Sequence, residues 1–299
     1  MISNRGKPQW LKIQPPNTEK FVKIKETLRK YNLHTVCEEA HCPNIPECWS
    51  GGTATFMILG DVCTRGCKFC QVNASAKGKP IDHYEPLKLA FAIKEWNLDY
   101  IVITSVDRDD LEDQGSEHWV KCITEVKKRT PGLLVEVLIP DFRGDMVCVK
   151  KVVDAKPDVI AHNVETVRRL QSTIRDRRAG YEQSLAVLAA VKEMNSKIFT
   201  KSSIIVGFGE TDQEILQTMK DLRAVGVDIL TIGQYLRPSD WHLPVADYVS
   251  PEKFEFYKAM GEDIGFSYVA SGPFVRSSYR AGELFVKNVL KNNGLAKIN

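Results

Sequence analysis

The run Phe56-Met-Ile-Leu-Gly-Asp-Val62, followed at once by Cys63-Thr-Arg-Gly-Cys67-Lys-Phe-Cys70, decides how the rest of the chain is read. A strand-like apolar segment delivers three thiols, spaced x3 and then x2, into one short loop. Zinc sites usually pair two CxxC or CxxH knuckles, which this spacing fits poorly. Three protein ligands leave a metal with an open position, the mark of a catalytic rather than a structural site. The reading is an iron–sulfur cluster held by Cys63, Cys67 and Cys70, with one iron free to bind a small molecule. A zinc site completed by a distant residue is the competing reading.

From Phe56 onward short apolar runs alternate with amphipathic stretches. The spacing predicts strands over 56–62, 100–106, 133–139, 159–164, 201–207 and 229–235, and helices over 86–96, 117–128, 146–155, 184–194, 212–224 and 251–261. The fifth helix is the best specified: Thr211-Asp-Gln-Glu214 is a capping box, Ile215, Met219 and Leu222 make an apolar face, and Gly226 suits the position after the C-cap. Near-continuous Val/Ile/Leu strands between helices indicate a parallel sheet covered by helices. Six such units, with no GxGxxG after the first strand, favour an α/β fold of the partial (β/α)6 TIM-like barrel type over a Rossmann sheet. The chain then divides into an N-terminal extension (1–54), the partial barrel (55–265) and a C-terminal extension (266–299). Within the first extension an amphipathic helix is expected over 18–30, followed by Cys37-x4-Cys42-x5-Cys48 in a segment read as loop because of Pro43, Pro46, Gly51 and Gly52.

Composition narrows the class. The 299 residues suffice for one barrel-sized domain, and 43% hydrophobic with 26% charged residues is a soluble balance. No apolar run approaches the roughly 18 residues of a membrane span. The first twelve residues lack a secretory h-region, so the expectation is a cytoplasmic protein. A net charge of +3 does not argue for nucleic acid, though it suits capture of an acidic protein. Of eight cysteines, six fall between Cys37 and Cys70, which is cluster spacing in a reducing compartment rather than a disulfide framework. Cys122 and Cys148 read as small buried hydrophobes.

In a (β/α) barrel the chemistry sits at the C-terminal ends of the strands. Those ends here are the 63–70 loop, Thr104-Ser-Val-Asp-Arg-Asp-Asp110, Pro140-Asp141, His162-Asn-Val-Glu165, Gly207-Phe-Gly-Glu210 and Gln234-Tyr-Leu-Arg237. Asp107, Arg108, Asp109 and Asp110 read ordinarily as a solvated charge run, with an ion-pair network holding the loop as the alternative. Glu136 is expected to point into the lumen, Arg237 to meet a carboxylate, and His41 and His162 to be structural.

The C-x3-C-x2-C loop with Phe69 before its last Cys, at the top of the first barrel strand, resembles the signature of radical S-adenosylmethionine enzymes. That resemblance implies a 4Fe–4S cluster whose fourth iron chelates the methionine part of S-adenosylmethionine, with reductive cleavage giving a 5′-deoxyadenosyl radical. Cys37-Glu-Glu-Ala-His-Cys42-Pro-Asn-Ile-Pro-Glu-Cys48 resembles the auxiliary-cluster motif of lipoyl synthases. So do Thr104 to Asp110, His162-Asn-Val-Glu-Thr166, Gly233-Gln-Tyr-Leu-Arg-Pro238 and Arg276-Ser-Ser-Tyr-Arg-Ala281.

This second resemblance implies two 4Fe–4S clusters. Cys37, Cys42 and Cys48 hold the auxiliary one with Ser278 as fourth ligand, Ser277 being the alternative; without the resemblance these serines read as a helix N-cap before Leu284. It further implies that Phe69, Thr104, Ser105, Asn163, Glu165 and Arg237 contact S-adenosylmethionine, and that residues 207–210 lie near its adenine, a plain βα turn being the equal alternative. The implied reaction inserts two sulfur atoms, at C6 and C8, into an octanoyl chain amide-linked to a lysine of a lipoyl-carrier domain or H protein. The auxiliary cluster donates the sulfur, and a small ferredoxin- or flavodoxin-type protein supplies electrons. The alternatives are another two-cluster radical enzyme acting on a free substrate, and a zinc-stapled scaffold or nucleic-acid binder.

Overall fold

The computed structural model describes residues 8, 11, 19–40, 42, 44–50, 54–96, 98 and 100–278. Helix α1 (Glu19–Tyr31) leads to the two-residue strand β1 (His34–Thr35) and the short helices α2 (Val36–Glu39) and α3 (Ile45–Ser50). Next come β2 (Thr55–Ile58), the paired β3 (Val62–Cys63) and β4 (Asn73–Ala74), and α4 (Glu85–Trp96). Strand and helix then alternate through β5 (Tyr100–Ser105), α5 (Ser116–Arg129), β6 (Leu134–Leu138), α6 (Met146–Asp154) and β7 (Val159–Ala161). The alternation continues with α7 (Gln171–Ile174), α8 (Tyr181–Met194), β8 (Phe199–Val206), α9 (Asp212–Ala224), β9 (Ile229–Gln234), α10 (Pro251–Ile264) and β10 (Tyr268–Gly272).

The main sheet runs β1-β2-β5-β6-β7-β8-β9-β10. Only β1 is antiparallel to its neighbour. All six expected strands are present, and β10 adds a seventh parallel strand within what was expected to be the C-terminal extension. Its run Tyr-Val-Ala-Ser-Gly is too diluted by serine and glycine to read as a buried strand, yet pairing with β9 buries Val269 and Ala270. The expected first strand is cut short. Leu59 and Gly60 take φ of 67° and 89°, turning the chain so that Cys63 sits on the separate β3.

Alternate residues on each strand face opposite ways. Ile101, Ile103, Val135, Val137 and Ile160 join the core under α4, α5 and α6. Ile204, Val206, Leu230, Ile232 and Val269 do the same for α9 and α10. The intervening residues Tyr100, Val102, Val159 and Ile229, with Leu134, Phe199 and Tyr268, form a separate apolar plug at the N-terminal ends of the strands. One layer higher, Lys201 Nζ meets Glu136 Oε1 at 2.8 Å, both side chains nearly sealed from solvent, and Tyr100 Oη donates to Glu136. Glu136 thus faces the lumen as expected, but it is locked in a pair beneath the cavity instead of projecting into it. Above that pair Thr104, Leu138, Ser203, Ile205 and Gly233 border an open cavity together with Met57. Met57 and Gly233 belong to strands five places apart in the sheet, so the sheet is curled around that space.

The α9 start is built as expected, with Thr211 and Glu214 closing a reciprocal capping box and Gly226 at φ 83° after the helix. No helix among the described residues is long and apolar enough to cross a membrane. His41 and residues 1–7, 12–18, 51–53 and 279–299 lie outside the described residues, and so do the Tyr279, Arg280 and Ala281 part of the C-terminal motif and the N-cap reading before Leu284.

Candidate active site

The 63–70 loop is fastened before it presents its thiols. Thr64 donates through both N and Oγ1 to Asp107 O, at 2.9 and 3.0 Å, and its Oγ1 accepts from Asp109 N at 2.9 Å. The buried Arg65 guanidinium meets Asp141 at 2.7 Å, Asp109 at 2.9 Å and Asp107 at 3.3 Å. Residues 107–110 are therefore an ion-pair network rather than a solvated charge run, and Arg108 to Asp110 at 2.8 Å extends it. Its hub is Arg65, whose role within the cysteine motif sequence reading passed over. Burial pushes the Asp107 carboxyl up to about 6 against the pull of Arg65. For Asp141 burial also pushes upward, but hydrogen bonding to Arg65 wins and holds it down at about 2.

The sulfurs are desolvated and have amide donors aimed at them. Arg65 N donates to Cys63 Sγ at 3.4 Å and Asp176 N to Cys67 Sγ at 3.3 Å, while the Cys63 thiol points to Asp107 Oδ2 at 3.7 Å. Burial pushes the Cys67 thiol up to about 12 and Cys70 to about 11, and it raises Cys63 as well. Such thiols do not ionise unaided near neutral pH, whereas a bound cationic cluster deprotonates its ligands outright. Peptide N–H bonds to sulfur are also the contacts that tune iron–sulfur clusters. The donor set fits such a group.

The 37–48 segment, expected as loop, holds two short helices. Thr35 caps α2 by accepting from Glu38 N at 3.2 Å, which puts Cys37 in the first turn. Pro46 falls in the first turn of α3, where a missing N–H costs nothing, so it starts the helix that holds Cys48. Cys42 N bonds Cys37 O at 2.9 Å between them. Burial raises the thiols of Cys37, to about 11, and of Cys42. Asn44, buried, donates through Nδ2 to Phe274 O at 2.6 Å and so ties this segment to the chain's other end. That end passes tightly over β9: a Cβ on Gly233 would stand 2.0 Å from Val275 O. Only glycine admits the crossing.

Both ends meet at one cavity of about 880 Å³. All six cysteines of the two triads border it, as do Ser277 and Ser278. Phe69, Thr104, Ser105, Asn163, Glu165 and Arg237 border it too. Two polar atoms there, Ser105 Oγ and Asn163 Oδ1, are buried with no partner among the described residues, the condition of groups waiting for a ligand. Asn163 Nδ2 donates to Glu165 Oε1 at 3.1 Å, and burial raises the Glu165 carboxyl. Glu165 also holds φ at 67°, strain of the kind that collects at functional sites. Thr104 spends its hydroxyl on Leu138 O at 3.1 Å. Arg237 pairs with Asp240 of its own chain at 3.2 Å and also donates to His242 O at 2.9 Å.

Residues 207–210 are not brought to the cavity wall. Glu210 folds back to accept from Gly207 N and Phe208 N, closing the turn on itself. His162 is structural, as expected: Nδ1 lies 2.9 Å from Ile139 O and Nε2 2.9 Å from Ser184 Oγ. Its carbonyl partner requires the proton on Nδ1. Arg175, which borders the cavity and donates to Ser184 Oγ at 2.8 Å, and His242, whose Nε2 reaches Cys70 O at 3.0 Å, were missed. Both lie in irregular segments with no periodic signal. Away from the cavity, Glu85, His118 and Cys122 form a tight buried group. Glu85 Oε2 is satisfied there by Leu59 N at 2.9 Å and His118 Nε2 at 2.5 Å, so the group ties α4 and α5 to the turn after β2.

Residues 57–222 match the family model of the Radical SAM superfamily, and residues 3–42 match that of the N-terminal domain of lipoyl synthase of the Radical SAM family. The chain is 59% identical over 295 residues to a lipoyl synthase of Halobacterium salinarum, spanning 97% of this chain and 94% of that one. It is 57% identical over 286 residues to one of Anaeromyxobacter dehalogenans (96% and 97%), and 54% identical over 298 residues to lipoyl synthase 2, chloroplastic, of Zea mays (96% and 81%). Among solved structures, the FeFe-hydrogenase maturase HydG of Carboxydothermus hydrogenoformans superposes with a TM-score of 0.58 at 13% identity, over 90% of this chain and 78% of that one. Methylornithine synthase does so at 0.54 and 12%, over 88% and 81%. At those identities the likeness speaks for the fold alone.

Proposed function

This chain belongs to the lipoyl synthase family of radical S-adenosylmethionine enzymes, and from that membership we propose which residues divide the work. The family activity is sulfur insertion that makes the lipoyl group, and it calls for a 4Fe–4S cluster and S-adenosylmethionine. We assign that cluster to Cys63, Cys67 and Cys70. A second cluster, the sulfur-donating substrate, is assigned to Cys37, Cys42, Cys48 and Ser278, with Ser277 as the alternative ligand. An alkoxide is a harder ligand than thiolate and suits a position that must open. The observation that supports the assignment is the shared wall: both triads and Ser278 border one cavity, so a radical-generating cluster and a sulfur-donating one held by these residues would share one space.

When bound, S-adenosylmethionine and its cluster supply the radical that unactivated C–H bonds require. The chain's own residues bind, orient and exclude water. Arg65 and its three carboxylates hold the 63–70 loop in register. Ser105 and Asn163 offer their unpaired oxygens to polar groups of S-adenosylmethionine, and Phe69, Thr104, Glu165 and Arg237 complete its pocket. His162, which burial keeps neutral down to about 4, braces the floor without adding charge. The proposed substrate is an octanoyl chain on the lysine of a lipoyl-carrier domain or H protein, with insertion at C6 and C8. A small ferredoxin- or flavodoxin-type protein is the reductant. Eight free cysteines favour a reducing compartment, and we place the reaction in the cytoplasm.

Separate removal of the two triads tests the division. Cys42→Ala is expected to retain S-adenosylmethionine cleavage and form no thiolated product, and Cys67→Ala to lose both. Full lipoyl formation by Cys42→Ala would sink the assignment.

A further inference from the structure

The thiol loop leaves the sheet through a strained turn. Among the described residues β3 pairs only with β4, so residues 62–74 form a small unit of their own beside the main sheet. What joins that unit to β2 is the turn at Leu59 and Gly60. Leu59 holds φ at 67°, a region that a bulky residue enters only at a cost. Such strain persists only where the surroundings over-determine it, and Leu59 is gripped on three sides. Its N donates to Glu85 Oε2 at 2.9 Å, and its O accepts from Arg108 Nη1 at 3.3 Å. Its side chain, 2% exposed, lies so close to the start of α5 that a Cβ on Gly115 would stand 2.5 Å from Leu59 Cδ1.

The grip on Leu59 N comes from groups that have no place in the cavity. Glu85 opens α4 and lies 2.5 Å from Nε2 of His118 on α5, both side chains buried, and Cys122 one turn further along α5 closes the group. One carboxylate oxygen therefore serves the turn and the helix together, and His118 fixes the direction in which Glu85 points. The segment between β5 and α5 holds the thiol loop as well as the turn. Asp107 and Asp109 fasten Thr64 and Arg65, while Arg108 between them takes the Leu59 carbonyl.

We propose that Glu85, oriented by His118, is a positioning residue for radical generation: it locks the Leu59 turn and so sets how Cys63 and the thiols after it face the cavity. The proposal rests on the cluster assignment made above. A small rigid unit needs more than one anchor to be oriented. Arg65 and Thr64 anchor the loop where it passes β5 and β6, and the Leu59 turn fixes the direction from which it arrives. Released from Glu85, Leu59 relaxes out of the left-handed region and the unit swings about its remaining anchors. The role is hydrogen-bond geometry rather than charge. A glutamine at position 85 still accepts from Leu59 N, and His118 accepts from its amide in the other tautomer.

The test compares Glu85→Leu, Glu85→Gln and His118→Phe with the parent, and with Thr211→Ala as a remote loss of stability. Amide hydrogen exchange over residues 59–66 is read by mass spectrometry on the full chain with and without its clusters. The EPR spectrum of the reduced cluster, before and after S-adenosylmethionine is added, and 5′-deoxyadenosine formation are read with Cys37, Cys42 and Cys48 replaced by alanine, so that one cluster gives the signal. Glu85→Leu is expected to speed exchange there about tenfold or more, as befits one buried hydrogen bond lost. It should also change the EPR response to S-adenosylmethionine and slow 5′-deoxyadenosine formation on the order of 10²-fold, the cost of a displacement of about 1 Å. Glu85→Gln should stay near the parent in all three readings, His118→Phe should fall between, and Thr211→Ala should match the parent. Parent-like exchange in both Glu85→Leu and His118→Phe overturns the proposal. So does faster exchange with EPR and cleavage unchanged, which would leave the pair a purely structural tie, and so does a Glu85→Gln variant as impaired as Glu85→Leu. Should Glu85→Leu not fold, His118→Phe against Glu85→Gln decides by the same readings. If Cys67→Ala still cleaves S-adenosylmethionine, the cluster assignment fails while the exchange result stands.

Discussion

Replacing Gly233 by alanine perturbs the site through its backbone rather than its ligands. Gly233 lies in β9 with a strand on each side, paired with Ile205 of β8 and Gly272 of β10, so it has nowhere to retreat. An added Cβ would stand 2.0 Å from Val275 O, 3.0 Å from Val275 C and 3.3 Å from Arg276 Nη1. Ordinary contact begins near 3.4 Å, so the 275–278 segment must lift by more than about 1 Å. That motion pulls on Asn44 Nδ2 to Phe274 O, the bond joining this segment to the 37–48 cysteines, and carries Ser277 and Ser278 away from the shared wall. Overpacking of this kind costs about 1–3 kcal/mol, which a domain with about 5–15 kcal/mol of stability survives. A misplacement of about 1 Å costs on the order of 10²-fold in a step that depends on position. Gly233→Ala should therefore cut lipoyl product on that order while 5′-deoxyadenosine formation stays near the parent rate, both read by mass spectrometry beside an iron and sulfide count. Normal lipoyl yield with full iron content would refute the reasoning, and so would equal loss of both products.

His162 has an ordinary value of 6.5 and is held down at about 4 in the fold, chiefly by burial. Above pH 6.5 it is neutral folded or unfolded and contributes nothing; between 6.5 and 4 only the unfolded chain takes the proton, so stability falls as pH falls, by about 2 kcal/mol at pH 5. His162→Asn should flatten that part of the pH dependence of the thermal midpoint relative to the parent, and parallel curves would count against it. Lys201→Met strands a buried Glu136 and should cost about 3–5 kcal/mol in denaturant unfolding. Adding Glu136→Leu and Tyr100→Phe should restore most of this, and a combined variant no better than the single one would contradict the buried-pair account. Thr211→Ala should remove about 1 kcal/mol through loss of the α9 capping box without touching S-adenosylmethionine cleavage.

Much of the frame was legible in the chain because its signals are local. The period-2 and 3.6 patterns, the Thr211 to Glu214 box and the C-x3-C-x2-C spacing each depend on residues within a few positions of one another. They located the parallel strands, the helices between them and both cysteine triads, and the residues assigned to the clusters and to S-adenosylmethionine contact border the cavity, although the 207–210 turn does not.

Other features depend on partners distant in sequence. Arg65 becomes a hub only when the ends of β5 and β6 bring Asp107, Asp109 and Asp141 around it. Val269 and Ala270 become strand because β9 offers an open edge, and Cys37 and Cys48 become helical because Thr35 and Pro46 are used as starts. The sequence by itself determined the donor types and the barrel that presents them. Tertiary structure alone decided that Asn44 and Phe274 are bonded across 230 residues, and that the chain's end crosses Gly233 closely enough to bring Ser278 to the wall shared with the cysteines. Spacing along a chain encodes which groups are near neighbours, whereas contact between distant segments depends on the packing of everything between them.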